Sequence, residues 1–306
     1  MRRFQSLVAV AVTTYCMAGD RAQAGNPVGI VQAFAGISQS DGTLPCANPG
    51  GANGCYGIPN GSVAVMPAQI ISGTPPPVNY YAVFETASWS GTLNVSFDIV
   101  EAGAVVQTIT ASGSASLNSV TMIFAPATFP TNNGYTGRAT MNTTTTAMPA
   151  GGGSALTLKS STTVRVRPVG QQYQGVVALL FTGMDSAYCW SPNPVNACYG
   201  VPDGAVVVAP QNILSAPYSG SVYSALQTGY WVGTISCTWQ LTEAGTVVGT
   251  TSSYLGARND AIVFPNSSMY VNSGYVGPAL LSVTCTATSK YDPMETFTGS
   301  TELGIQ

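Results

Sequence analysis

The chain has no histidine in 306 residues, and its charge is sparse: Lys and Arg total 9, Asp and Glu 12, together 7%. An average soluble domain carries about 25% charged residues. Without an imidazole, Ser-His-Asp and Cys-His nucleophilic machinery is excluded. The two lysines, Lys159 and Lys290, have no serine three residues upstream, so the S-x-x-K arrangement is missing as well. No basic patch exists to meet phosphates, which argues against nucleic acid. Glycosidase chemistry needs two facing carboxylates, and the tempting pair, Glu101 and Glu243, reads better as two copies of one turn residue. There is no calcium-loop motif and no glycine-rich phosphate loop. With no C-x2-C spacing either, no metal centre or cofactor is expected. Nor does any apolar run approach the 20 or so residues of a membrane span.

What the chain does have is a repeat. CYGIPNGSVAVMPAQIIS from Cys55 returns as CYGVPDGAVVVAPQNILS from Cys198. Cys46 and Cys189 precede these segments at the same distance, so one cysteine element occurs twice. Trp89-Ser-Gly-Thr-Leu becomes Trp231-Val-Gly-Thr-Ile, and Asn132-Asn-Gly-Tyr-Thr-Gly becomes Asn272-Ser-Gly-Tyr-Val-Gly. Matches in one order with a slowly drifting offset indicate a duplicated domain with small loop insertions. The period is far longer than that of a solenoid or propeller unit, so each copy should bury its own core. The expected division is a leader over 1–24, a first domain over 25–168 and a second over 169–306. A short polar connector, Val169 to Gln174, should hold them as a semi-fixed tandem.

The leader reads as a signal peptide: Arg2-Arg3, a short apolar stretch Leu7 to Val12, and Ala22-Gln-Ala24 as a small-residue cleavage site. Its removal leaves a net charge of about −5 and six cysteines, an even number suited to an oxidising compartment. Pairing within each repeat joins Cys46 to Cys55 and Cys189 to Cys198, and leaves Cys237 with Cys285. A surface covered by Ser, Thr, Asn, Gln and Gly repels its neighbours weakly, and low net charge favours association.

Strands follow from alternation with a period of two. Leu93, Val95, Phe97 and Ile99 point one way in the first copy; Ile235, Cys237, Trp239 and Leu241 do so in the second. Both strands run into Glu-Ala-Gly, read as a three-residue hairpin loop with a left-handed glycine. Asn60-Gly61 and Asp203-Gly204 mark turns before valine strands. Many short strands and no helical period argue for an all-β sandwich or barrel. Alternation through Leu281, Val283, Cys285 and Ala287 places Cys285 on the core face, as Cys237 is. A bridge between two buried strand positions about 50 residues apart resembles the immunoglobulin-like sandwich. That resemblance implies a fold of two tandem β-sandwich domains and no function. The tyrosine that the family places two residues before the second cysteine is Val283 here. In the first copy the two cysteines align with Val95 and Thr145.

Recurring aromatics (Trp89 and Trp231, Tyr56 and Tyr199) read as packing. Candidate ligand contacts are Trp190, braced beside Cys189, with Tyr218 and Tyr223 as loop aromatics; Tyr80-Tyr81 and Tyr230 belong to the same class. The expectation is a secreted or periplasmic, non-catalytic structural or adhesive protein of the cell surface or extracellular matrix. Its partners would be copies of itself or a cell-surface component. Carbohydrate binding through loop aromatics is the alternative.

Overall fold

The structure is a computed structural model that describes residues 29–39, 46–48, 62–65, 77–129, 137–166, 176–190, 206–228, 232–257, 262–263, 265–271, 274–289 and 294–306. The expected leader, Cys55, Cys198, both Asx-Gly turns, the connector, Trp231 and Tyr230 lie outside these residues. So do the side chains of Cys46, Cys189 and Trp190.

Among the described residues the chain is all strand and turn, with no helix. The first half holds β1 (Ile30–Gln39), β2 (Cys46–Asn48), β3 (Ser62–Val65), β4 (Pro77–Thr86) and β5 (Gly91–Glu101). It continues with β6 (Ala104–Ala115), β7 (Val120–Thr128), β8 (Gly137–Pro149) and β9 (Leu156–Val166). The second half opens with β10 (Val176–Trp190), β11 (Val206–Pro210), β12 (Ile213–Leu214), β13 (Tyr218–Thr228) and β14 (Gly233–Glu243). It closes with β15 (Thr246–Ala257), β16 (Ile262–Val263), β17 (Asn266–Val271), β18 (Gly277–Thr288) and β19 (Glu295–Ile305).

Alternation decides the faces as expected: Leu93, Val95, Phe97 and Ile99 are buried, as are Ile235, Cys237, Trp239 and Leu241. In the first half they pack against the small sheet β1-β4-β7, sharing one core with Phe34, Tyr81 and Phe84. A second core gathers Leu179, Val222, Trp239, Val283 and Phe297. The first core also takes in Val206, Val208, Tyr223 and Ala225 from β11 and β13, so its boundary does not follow the order of the chain.

Positions that match in sequence occupy matching places in the ladders. Glu101 faces Ala104 and Ala139, and Glu243 faces Thr246 and Ala279. Each hairpin skips one valine at the same step, Val106 in β6 and Val248 in β15. The turn between them differs from the expected three-residue loop. Glu101 pairs directly with Ala104, leaving two loop residues, and Ala102 and Gly103 have φ of 49° and 84°. Ala244 and Gly245 repeat this at 46° and 83°. Positive φ at both central residues is the type I′ requirement, whose twist suits adjoining strands. Alanine tolerates its place at some strain; glycine takes the second without any.

The described strands of the two halves are joined by β-pairing. A continuous sheet runs β6-β5-β8-β9-β19-β18-β14-β15, and β9 also pairs with β10. Its central step is the antiparallel contact of β9 with β19 at Ser161 and Ser300, whose hydroxyls are 3.0 Å apart. A second join pairs β3 with β11: Val63 faces Val208, Ala64 faces Val207 and Val65 faces Val206. In the β9–β19 and β3–β11 joins the two partners are strands that align with each other in sequence; in the β9–β10 pairing they do not.

Candidate functional site

The disulfide Cys237–Cys285 is present, with Cα atoms 4.0 Å apart. It joins directly opposed residues of neighbouring strands, β14 and β18. The immunoglobulin-like bridge connects two sheets across the core, so that part of the resemblance fails. Period-two alternation reports which face a cysteine occupies, and adjacent strands of one sheet satisfy it as well as opposed sheets do.

The aromatics taken for loop residues lie in strands. Tyr80 and Tyr81 are buried in β4 and Tyr223 in β13, all at 2% exposure or less. Burial drives both β4 phenols well above their usual pKa. Tyr81 stands opposite Gly36 and Tyr223 opposite Gly183, so each ring covers a cross-strand glycine. A fully buried ring has no face for a sugar, and Tyr223 is corrected from ligand contact to core. Tyr218 is half-buried, and its hydroxyl donates to Gln211 Oε1 at 3.3 Å. Trp190 lies at the end of β10, its backbone opposite Val206. Among the described residues the tyrosines that face solvent are Tyr254 on β15, 78% exposed, and Tyr270 on β17, 58% exposed. Sequence reasoning passed over them, although Thr250, Ser252 and Tyr254 share the outward phase of their strand.

Buried polar groups gather in the first-half core around β1 and continue to where the halves meet. Thr145 donates to Gln32 Oε1 at 2.6 Å, and Gln32 Nε2 donates to Ser160 at 2.6 Å. The Thr301 hydroxyl, buried in β19, donates to the backbone carbonyls of Gln32 and Ala33 in β1. Its sequence match Thr162, in β9, donates to the carbonyl of Leu179 in β10. Asn212 Nδ2 reaches Ala33 O at 3.3 Å and Glu302 O at 3.0 Å.

Two carboxylates close the network. Glu85 accepts the backbone amides of Asn212, at 2.5 Å, and Ile213, at 3.3 Å. Burial pushes its pKa up to about 7 despite those two donors. Glu302 accepts the Lys159 amide at 2.7 Å. Burial raises it to about 8, opposed by that amide and by the Lys159 charge. The same burial raises Glu101 at its turn. Glu101 and Glu243 sit on equivalent turns of different hairpins and are not a facing pair. Carboxylates with raised pKa values in one region can mark catalysis, but structural networks produce the same shifts. Here Glu85 and Glu302 each accept backbone amides of the opposite half, so these two carboxylates tether the halves. No group of three metal-ligating side chains occurs among the described residues. No helix there is long and apolar enough to cross a membrane.

Part of this network was legible. Alternation in β8 puts Thr143 and Thr145 in phase with Met141 and Ala147, a polar pair on a core face. Glu85 and Asn212 carried no such signal, because their partnership spans 127 positions.

No known protein family matches the chain, and no curated protein matches it. Among solved structures it is similar to the transglutaminase of red sea bream, at 9% identity and a TM-score of 0.24, over 79% of this chain and 30% of that one. It is also similar to a protein described as pT26-6p, at 10% identity and a TM-score of 0.26, over 90% of this chain and 65% of the other. The chain thus spans less than two thirds of either, and at such TM-scores the likeness carries no argument about activity.

Proposed function

We propose that the chain is a duplicated pair of β-sandwich units that is exported, loses residues 1–24, and serves as a non-catalytic structural or adhesive protein at a cell surface or in a matrix. The observation that carries this reading is the junction. Its buried carboxylates, amide and hydroxyls are spent on joining the halves, and together they form a scaffold. The Cys237–Cys285 bond supports an oxidising compartment. The scarcity of charge supports close packing against neighbours. The test is location: antibody labelling of intact producing cells and of their surface fraction, with mass spectrometry of the mature N-terminus. Surface retention with cleavage after Ala24 is expected; an intact leader and an intracellular protein would overturn it.

A second reading, carbohydrate binding, gains one specific observation, the exposed rings of Tyr254 and Tyr270. Such rings stack on sugars. A glycan array in which binding is saturable and lost in Tyr254→Ala or Tyr270→Ala would favour it over the first.

A further inference from the structure

Two of the three strand pairings between the halves follow one rule: an edge strand of one half pairs antiparallel with the strand that matches it in sequence in the other, and only the short pairing of β9 with β10 departs from it. β9 meets β19 at Ser161 and Ser300, and β3 meets β11 about Ala64 and Val207. A third matched pair is left over. β6 and β15 end the continuous sheet on opposite sides, and among the described residues each pairs with a single neighbour, β5 and β14 respectively. We propose that β15 of one molecule pairs antiparallel with β6 of a second copy, so that the sheet runs on from chain to chain.

The chemistry of the two edges supports that occupant. Exposed edges of soluble proteins are usually blunted by charges, prolines or bulges. AVVQTITASGSA and TVVGTTSSYLGA contain no charged residue and no proline. Each has one bulge, at Val106 and Val248, beside its turn; beyond it Gln107–Ala115 and Gly249–Ala257 run in unbroken register with their neighbours. The direction of the free backbone groups follows from the disulfide. The Cys237 and Cys285 Cα atoms, 4.0 Å apart, mark a narrow, non-hydrogen-bonded pair. The peptide groups of Cys237 therefore point to its other neighbour, Ser253, and those of Ser253 point back. Ser252 and Tyr254 then aim theirs outward. The matching residue in β6 is Thr110, opposite Ser96. Because β6 and β15 are different surfaces at opposite ends, the contact is head-to-tail and propagates from copy to copy, as an open chain or a closed ring, instead of stopping at a dimer. With no charge on either edge, association should depend little on salt.

This inference rests on the structural reading above for its purpose, but its test is independent of where the protein resides. Light scattering and sedimentation of the purified mature chain should show oligomers that grow with concentration. Ser252→Pro removes an outward N–H of β15, Thr110→Pro one of β6, and each alone should stop growth. Mixing the two variants should give a dimer and nothing larger, since each retains one intact and complementary edge. Should proline prevent folding, Ser252→Lys and Thr110→Lys put charge on the same exposed positions and should act alike. A wild-type chain that stays monomeric at every concentration, or variants that polymerise unchanged, overturns the proposal even if the protein is found at the cell surface. A dimer formed by Thr110→Pro alone, through β15 with β15, overturns it too. Assembly by a chain found only inside cells would uphold the edge pairing and remove the surface function.

Discussion

The two halves solve the same core with different chemistry. In the second, Trp239 donates to Thr182 at 3.2 Å and to Ser224 at 3.0 Å, and Cys237 is bonded to Cys285 beside it. In the first, Phe97 stands where Trp239 does, and Ala35 faces Ala82 where Thr182 faces Ser224. The disulfide is replaced by Val95 opposite Thr145, whose hydroxyl is anchored through Gln32 to Ser160. An indole N–H brings a need for acceptors in the core, and a phenyl ring removes it. Substitutions at one position are thus tied to those across the sheet, and each half is satisfied by its own set. The lesson is that one ladder register supports two core chemistries when polar groups change together.

The largest expected effect comes from giving the second half the first half's pair. Cys237→Val with Cys285→Thr opens a loop of 48 residues' separation, worth about 4 kcal/mol in the chain-entropy picture. It also leaves a threonine hydroxyl without the glutamine that Thr145 has. Urea unfolding should show that loss; a change of only a few tenths would mean that packing alone holds both halves.

Next are the glycines beneath the tyrosines. A Cβ at Gly36 would lie 2.6 Å from Cζ of the buried Tyr81 ring, whereas at Gly183 the nearest Tyr223 atom is 3.3 Å away. Gly36→Ala should therefore cost about 3 kcal/mol, in the upper range for overpacking, and Gly183→Ala clearly less. Equal thermal shifts for the two variants would refute this asymmetry.

Trp239→Phe should cost about 2 kcal/mol, because Thr182 and Ser224 lose their buried donor. Adding Thr182→Ala and Ser224→Ala recreates the first half's set and should recover most of it. A triple variant no more stable than the single one would show that the lost indole volume, and not hydrogen bonding, sets the cost.

The smallest effect is on pH dependence. Glu85 and Glu302 align with the neutral Gln227 and Thr163. Both carboxyls have pKa values raised by burial, to about 7 and about 8, so the folded chain holds protons more tightly than the unfolded one. Their contribution is complete below about pH 4.5 and is lost as pH rises through 7 and 8. Glu85→Gln, which keeps an acceptor for the Asn212 amide, should flatten the fall in melting temperature between pH 5 and 8. An unchanged slope would assign that dependence elsewhere.

Local patterning by itself determined much of this protein. Alternation in Leu93–Ile99, Ile235–Leu241 and Leu281–Ala287 set which side chains are buried, and an odd cysteine pair on two such faces identified Cys237–Cys285. The recurrence of one motif at a distance located strands that later proved to share registers. These are properties of period and spacing, which a linear chain carries in full. What only the tertiary structure decided is how the pieces meet. The sheet that holds the disulfide, the burial of Tyr81 and Tyr223 over glycines, the hydrogen bonds from Asn212 to Glu85, and the pairing of β9 with β19 all depend on partners far away in the chain. A residue's own neighbours fix the face it turns to, but not which distant surface comes to cover it.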